Sequence, residues 1–364
     1  MDFKFTEDQE LIQQTIKEFV ADNIDESTDT VISGLAEMGF MGIFVPEQYS
    51  GAESDFTSYI LALEELAKHS GSTALTYAIQ NTQVIYPILK YGSQELKEKY
   101  IPSLASGELI GAYAYSEAGD DEEIYAIKST AVLQDDSYVL NGKKTFVLNG
   151  SKANTLVVYA NTEAGMSAFV VDSNLPGIEV SDAYIKMGLD EVPAVSVTLT
   201  NVSIPKTNLI GSDGEGIAIL KDVSLTHGIA LASIANGLSA KGLAKCLDYG
   251  QSRIQFKRPI ISFDAPREMV GNMVVNIEST KLLTYKAAFL KDTNANYTEN
   301  ALVARASALR LGEQNLRNSI QLHGGYGYTR DLGVEVMFRD VKGIQVLENF
   351  ERPLILAIAD YVID

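Results

Sequence analysis

Glu348 is the residue whose surroundings in the sequence are suited to acid–base chemistry. It lies among the apolar residues Ile344, Val346, Leu347 and Phe350. An apolar setting raises the pKa of a carboxyl group and makes its carboxylate a stronger base. Such a base removes a proton from carbon when hydrogen bonds stabilise the enolate-like charge that results. Local composition alone favours the simpler interpretation of a solvated charge at a helix end.

A glycine pair and an arginine-containing segment form the second chemical set. Gly324 and Gly325 follow a long helical pattern; glycine there fits a helix end with positive φ, and a backbone without Cβ also allows close approach of a ligand. Arg253 is interpreted either as an anion-binding residue or as a surface residue in an i, i+4 ion pair. Phe256 is interpreted either as a ligand contact or as an ordinary core residue. His323 is typical of a packed or capping histidine, and we assign it no chemical role.

Composition limits the function classes. The chain has 364 residues, which predicts two or three packed domains. A single cysteine, Cys246, excludes a disulfide framework, and three scattered histidines show no metal-ligand spacing, so we expect no metal site.

The net charge of -19 repels phosphate backbones and anionic lipid, so nucleic acid and membrane surfaces are poor partners. The N-terminus has no basic region followed by an apolar stretch, and the sequence shows no run approaching the ~20 apolar residues of a membrane span. We expect a soluble, cytoplasmic protein that binds any anionic ligand through local positive groups.

Hydrophobic periodicity divides the chain into helices, strands and helices. We predict a helical domain over 1–110, a β domain over 111–212 and a helical-bundle domain over 213–364, which is an α+β fold. Thr6 and Gln9 predict a capping box before the first helix. Asn141-Gly142, within β-prone sequence, predicts a hairpin turn.

Known nucleotide-binding and hydrolase fingerprints are missing. No strand precedes a GxGxxG segment, and neither GxxxxGK[ST] nor GxSxG occurs. The motifs that do occur resemble those of the acyl-CoA dehydrogenase family over essentially the whole chain. Residues 321–328, 334–335 and 339–342 match QxxGGxGY, VE and RDxK at the family spacing, and residues 249–260 are similar to YxxxRxxFGxPI. Looser matches are 45–49 to VPExYGG, 141–144 to NGxK and 186–189 to KMGI.

This resemblance implies a fold, a reaction and a site. The implied fold is a helical domain, a sandwich- or barrel-like β domain and a four-helix C-terminal bundle, assembled as a homo-oligomer, usually a tetramer. The implied reaction is an FAD-dependent oxidation of a CH–CH group, which removes an α proton and a β hydride from acyl-CoA or another acyl thioester. An electron-transferring flavoprotein is the implied later acceptor.

Site residues follow from the same resemblance. Counting from Arg339 without a gap, the family's catalytic glutamate falls on Glu348. Arg253 is implied to meet the flavin dinucleotide's pyrophosphate across a subunit interface. The full set of implied flavin contacts is Tyr113, Ser116, Phe146, Arg253, Phe256, Gln321, Gly324 and Gly325.

The sequence departs from the family where flavin and CoA are expected. The TEPxAGSD segment begins at Ser116 and carries four consecutive carboxylates, Asp120 to Glu123, and Leu148 replaces a hydroxyl that hydrogen-bonds the flavin. Lys257 and Arg258 form either a substitute phosphate site or a solvated basic pair. Asp190, Gly228, Lys257 and Asp264 stand where the family has Arg, Arg, Gly and Gln.

Two other functions remain open. One is oxidation of an acyl or aminoacyl group on a carrier protein; carrier proteins are usually acidic, so the net charge of -19 argues against it. The other is a catalytically impaired subunit of a hetero-oligomer, which the altered segment and Leu148 favour and which Glu348, Arg253, Gln321 and the glycine pair oppose. A generic helical scaffold explains none of the spacings.

Overall fold

Helices form the first third of the molecule. A computed structural model describes residues 4–118, 126–347 and 351–363, without the side chains of 351–353. The predicted capping box is confirmed, because Thr6 and Gln9 bond reciprocally at the start of the first helix. The helices are α1 (Glu7–Asp22), α2 (Thr28–Glu37), α3 (Phe56–His69), α4 (Gly71–Ala78), α5 (Tyr86–Tyr91) and α6 (Gln94–Ala105), and a π-helical segment (Ile79–Ile85) joins α4 to α5.

A twisted sheet forms the middle of the molecule. Its strands are β1 (Gly111–Ala114), β2 (Thr130–Gln134), β3 (Ser137–Leu148), β4 (Thr155–Thr162), β5 (Gly165–Asp172), β6 (Ile178–Val180), β7 (Ala194–Pro205) and β8 (Leu209–Ile210). They lie in the order β6-β7-β3-β2-β4-β5-β8, with β1 paired to β4. Alternate residues of these strands fill a separate apolar core inside the sheet.

The predicted hairpin turn at Asn141-Gly142 is wrong. Strand β3 runs through both residues, and the turn lies between β2 and β3, where Gln134 pairs with Ser137. At Gly142 the register of β3 against β7 shifts, as in a β-bulge. A Cβ on Gly142 would lie 2.0 Å from Ser129 Oγ, so a contact distant in sequence explains this glycine.

Long helices form the C-terminal part, which confirms the expected α+β fold class. The elements are α7 (Gly216–Ser252), β9 (Ile254–Gln255), β10 (Arg258–Pro259), α8 (Asp264–Asp292), α9 (Thr298–Leu322), α10 (Gly325–Tyr328), α11 (Val334–Leu347) and α12 (Glu351–Ile363). Helix α7 packs against α3, α8 and α9.

Helix α7 is the core helix of this bundle. Among the described residues it is the one helix long and apolar enough to cross a membrane, with an 18-residue window of mean hydropathy 1.4, so the prediction that no run approaches such a span is wrong. In that window 67% of the residues are buried inside the protein. Its apolar composition therefore serves internal packing on all sides.

Candidate active site

An open groove lies where the C-terminal ends of α7 and α9 meet. It has a volume of about 450 Å³, and its lining includes Arg253, His323, Gly324 and Gly325. The structure thus brings together a cation and the glycine pair, which the sequence separates by about 70 residues. Gln321, also predicted for this site, is exposed near the end of α9.

The two glycines leave room beside this cation. Gly324 adopts φ +57°, and a Cβ added to Gly324 or Gly325 would have no atom within 4 Å. His323 is buried, stacks on Tyr249 at a ring distance of 4.6 Å, and places Nδ1 2.7 Å from Ser319 O. It is a packed histidine that forms a wall of the groove, as its sequence context suggests.

A two-residue hairpin borders the groove. Strands β9 and β10 pair through Gln255 and Arg258, which leaves Phe256 and Lys257 as the turn. Both have positive φ, 47° and 68°. Phe256 is 87% exposed, so the structure rules out the ordinary-core interpretation of this residue within the described chain. The guanidinium of Arg258 lies 3.9 Å from the ring centre of Phe263.

The remaining predicted flavin contacts lie on the sheet. Thr145 donates its N–H to Ser116 O at 2.8 Å, which places Ser116 beside Phe146. Phe146 is 51% exposed and packs on Tyr184 with 4.7 Å between ring centres. Tyr113, on β1, is half-buried and contacts the ring of Tyr159 edge-on. An exposed aromatic face and an adjacent serine therefore lie side by side on the β domain.

Leu148 follows Phe146 in the same strand but has a different environment. It is buried and belongs to the core shared with the helices. A leucine side chain has no hydrogen-bonding group, so it supplies no polar contact to a ligand beside Phe146.

The structure contains a buried ion pair between two of the named motifs, which the sequence did not predict. Lys144 is fully buried, and its Nζ contacts Glu117 Oε1 at 2.6 Å. Burial lowers the pKa of Lys144 to about 8, against the opposing effect of Glu117. Glu117 also accepts from Lys128 N–H, Ser129 N–H and the Ser129 hydroxyl. Burial acts to raise the pKa of Glu117, but the hydrogen bonds from Lys144, Ser129 and Lys128 outweigh it, so this pKa is low. Lys144, the lysine of the NGxK-like motif, thus holds Glu117, which precedes the acidic segment 120–123 in the sequence.

A polar cluster joining α5, α7 and α8 was also missed. Asp222 accepts hydrogen bonds from Tyr86, Lys90 and Tyr91, each at 2.8 Å. Nearby, Lys291 donates to Tyr86 at 3.0 Å, and its burial lowers its pKa to about 8. The residues are far apart in sequence and carry no motif, so no local signal identifies them.

The loop 186–190 docks on α11. Arg339 donates to Met187 O at 2.6 Å and to Asp190 Oδ2 at 3.2 Å. A Cβ on Gly188 would lie 2.4 Å from the carbonyl carbon of Arg339. The KMGI-like and RDxK-like motifs therefore contact each other, and Asp190, which replaces a family arginine, pairs with an arginine from the second motif.

The predicted base is not in the described part of the chain. Helix α11 ends at Leu347, and Glu348 lies outside the described residues, as do Asp120 to Glu123. Leu347 itself packs partly buried against the main core.

Comparison with known proteins agrees with this architecture. Three family models match: acyl-CoA dehydrogenase N-terminal domain over residues 6–108, middle domain over 112–202 and C-terminal domain over 214–348. The chain is 34% identical to a short-chain specific acyl-CoA dehydrogenase of Clostridium acetobutylicum, over 96% of each chain. The chain belongs to the acyl-CoA dehydrogenase family.

Solved structures of this family have the same fold. Butyryl-CoA dehydrogenase from Megasphaera elsdenii is 27% identical, with a TM-score of 0.96 and full coverage of both chains. A chain of a structure described as the electron transferring flavoprotein of Acidaminococcus fermentans is 33% identical, with a TM-score of 0.95 and coverage of 100% and 99%. The expectation of an oxidoreductase acting on CH–CH bonds is confirmed, and the family is FAD-dependent.

Proposed function

We propose that this chain is an FAD-dependent dehydrogenase of acyl-CoA thioesters, with Glu348 as the base. The observation that carries the proposal is the groove in which Arg253 lies next to Gly324 and Gly325, in a chain of this family. An arginine beside an open backbone fits a pyrophosphate, since the guanidinium gives charge-assisted hydrogen bonds and the missing Cβ atoms allow close approach.

The β domain supplies a second surface for the same cofactor. Phe146 presents half of its ring to solvent, and Ser116 lies beside it. An exposed aromatic face fits the flat isoalloxazine ring, and Tyr113 lies on strand β1, which pairs with β4. Phe256 follows Gln255 in the chain and Gln321 precedes Leu322, and both Gln255 and Leu322 line the groove. FAD, when bound, accepts a hydride from the substrate's β carbon.

The chain's own residues handle the proton. The carboxylate of Glu348 takes the proton from the α carbon, and the β carbon loses its hydrogen with both electrons. The carbon–carbon single bond becomes a trans double bond, so the substrate loses one proton and one hydride. The residues next to Glu348 in the sequence, Val346 and Leu347, are apolar, which fits a base kept from water.

We propose that the chain forms a homo-oligomer, because the surface around Phe146 and the groove around Arg253 belong to different elements of the chain. One belongs to β1 and β3 and the other to the ends of α7 and α9, and the resemblance implies that Arg253 acts across a subunit interface. Helix α8 exposes Val275, Leu282 and Phe289, which are 64%, 54% and 62% exposed at seven-residue spacing. An apolar stripe of this kind fits a helix of another subunit.

An electron-transferring flavoprotein is the partner that would reoxidise the enzyme in this proposal. Support comes from the match to the Acidaminococcus fermentans structure. A catalytically impaired subunit is the second candidate, and the observation that favours it is the buried, apolar Leu148.

An absorbance spectrum separates the two candidates. Purified protein is given FAD, freed of excess cofactor, and titrated without oxygen with butyryl-CoA and longer acyl-CoA thioesters. We expect a retained flavin band that bleaches with at least one thioester. Failure to retain flavin at high FAD contradicts the dehydrogenase and supports the impaired subunit.

A further inference from the structure

A β-bulge turns Phe146 out of strand β3. Lys144 pairs with Val197 and Val147 pairs with Val195, so two residues of β3 lie opposite one residue of β7. Phe146 has a positive φ of 51° and is 51% exposed, whereas the next residue, Val147, is buried. This backbone conformation is disfavoured for a residue with a Cβ, so it persists only where the surrounding structure holds it.

Three hydrogen bonds just before this bulge hold the segment that follows β1. Lys144 Nζ donates to Tyr115 O at 3.2 Å and to Glu117 Oε1 at 2.6 Å, on either side of Ser116. Thr145 donates its N–H to Ser116 O at 2.8 Å. Two consecutive residues of β3 therefore fix the position of Ser116 relative to the bulge.

Stability alone does not explain why this pair is charged. Lys144 is fully buried, and the side chain of Glu117 is 10% exposed. Burying two charges costs hydration free energy, so apolar residues of similar volume often stabilise a fold equally well or better. A buried ion pair gives directional contacts that apolar side chains lack. Here those contacts act on the residues that flank Ser116.

We infer that the Lys144–Glu117 ion pair is a positioning pair, which holds Ser116 beside Phe146 and so preorganises this surface for its ligand. This inference rests on the proposed function, in which Ser116 and Phe146 contact the flavin. A surface that is already ordered binds its ligand more tightly, because fewer groups lose conformational freedom on binding.

The FAD affinity of a variant without the pair tests the inference. Glu117→Gln/Lys144→Met, the pair-free variant, contains no uncompensated buried charge at this position, so we expect its unfolding free energy to stay near the wild-type value. Fluorescence titration should give a dissociation constant for FAD about tenfold above that of the wild type. An unchanged dissociation constant overturns the inference.

An exposed ion pair of the same sheet provides the matched control. Asp136→Asn/Lys206→Met removes one acidic and one basic residue, as the pair-free variant does, at the turn before β3 and just after β7. We expect this control to bind FAD with the wild-type affinity. A loss equal to that of the pair-free variant would show a general effect of charge removal and overturn the inference.

A mutational cycle tests whether the pair acts through Ser116. Ser116→Ala is made in the wild type and in the pair-free variant. In the wild type the serine is held in place, so its loss raises the dissociation constant for FAD about fivefold, as expected for one hydrogen bond. In the pair-free variant we expect a change below about twofold. Equal changes in the two backgrounds overturn the inference.

Amide hydrogen exchange in the absence of FAD keeps the inference separate from the proposed function. We expect the N–H of Thr145, which donates to Ser116 O, to exchange about tenfold faster in the pair-free variant. The N–H of Asn149, which donates to Pro193 O at 2.7 Å just beyond β3, is the internal control and keeps its rate.

The two failures then look different. If the wild type binds no FAD, the proposed function fails, and faster exchange at Thr145 still supports the pair as the contact that holds Ser116. Unchanged exchange at Thr145 overturns the inference, whatever the FAD titration shows.

Discussion

The carboxylate of Asp340 accepts a hydrogen bond from the N–H of Leu189 at 2.6 Å, across 151 residues of sequence. Leu189 belongs to the loop before β7 and has a positive φ of 55°, and Asp340 lies on α11. Asp340 also approaches α4, since a Cβ on Gly71 would lie 2.7 Å from Asp340 Oδ2. One buried carboxylate thus joins the helical domain, the β domain and the helix that precedes Glu348.

Asp340→Asn tests the ionisation of this junction. Burial raises the pKa of the Asp340 carboxyl to about 6, against about 4 in an unfolded chain. The protonated form is favoured in the folded state, so its contribution to stability is complete well below pH 4 and is lost as the pH rises from about 4 through 6. Asparagine keeps an acceptor oxygen and cannot ionise. Relative to Asp340→Asn, the wild type therefore loses about 2 kcal/mol of unfolding free energy between pH 4 and pH 7.

Urea unfolding of both proteins at pH 4, 5, 6 and 7 measures this difference. Because the two chains share every other titrating group, subtraction isolates Asp340. A difference that stays constant over this range contradicts the assignment.

Glu117→Gln tests the buried ion pair. Lys144 is fully buried, so loss of its carboxylate partner leaves an uncompensated cation and destabilises the fold by about 3 kcal/mol. Lys144→Met costs less, since Glu117 keeps the N–H donors of Lys128 and Ser129. The double variant Glu117→Gln/Lys144→Met recovers most of the loss, and denaturant unfolding measures all three. Equal losses of unfolding free energy in the two single variants would contradict this prediction.

Lys257→Gly tests backbone strain in the hairpin beside the groove. Lys257 has φ +68°, a conformation that disfavours side chains and that glycine adopts freely. We expect the variant to gain about 1 kcal/mol in unfolding free energy. Gln255→Gly, in strand β9, is the control and is expected to lose stability, because glycine there only adds flexibility to the unfolded chain. A loss at Lys257 would show that its side chain makes a compensating contact.

Arg253→Gln tests the cofactor groove. Glutamine removes the charge and keeps a hydrogen-bonding group, so FAD affinity falls by about tenfold to a hundredfold, as expected for a charge-assisted hydrogen bond to a phosphate. Arg267→Gln is the control, because Arg267 is exposed and its pair with Asp264 is long, at 3.6 Å. Fluorescence titration with FAD gives both dissociation constants. Equal affinities in the two variants would place the pyrophosphate elsewhere.

Local and regular features of this fold are predictable from the sequence. The capping box of Thr6 and Gln9 depends on residues three apart, and long apolar periodicity marks α8 and α9. Family motifs add the positions of Arg253 and Gly324, which the fold brings into one groove.

Contacts between distant residues account for the failures. The hairpin signal at Asn141-Gly142 is a local propensity, and the sheet overrides it, because Gly142 is required for close approach to Ser129. The residues next to Lys144 in the sequence give no sign that its partner is Glu117. Such pairings follow only from the packed structure.

The most direct test of the central claim is anaerobic flavin bleaching in Glu348→Gln. Glutamine has nearly the same shape but accepts no proton from the α carbon, so we predict a variant that retains FAD and binds acyl-CoA yet bleaches at least a thousandfold more slowly. Glu268→Gln, an exposed residue of α8, is the matched control and bleaches at the wild-type rate. Bleaching by Glu348→Gln at the wild-type rate would contradict the assignment of Glu348 as the base.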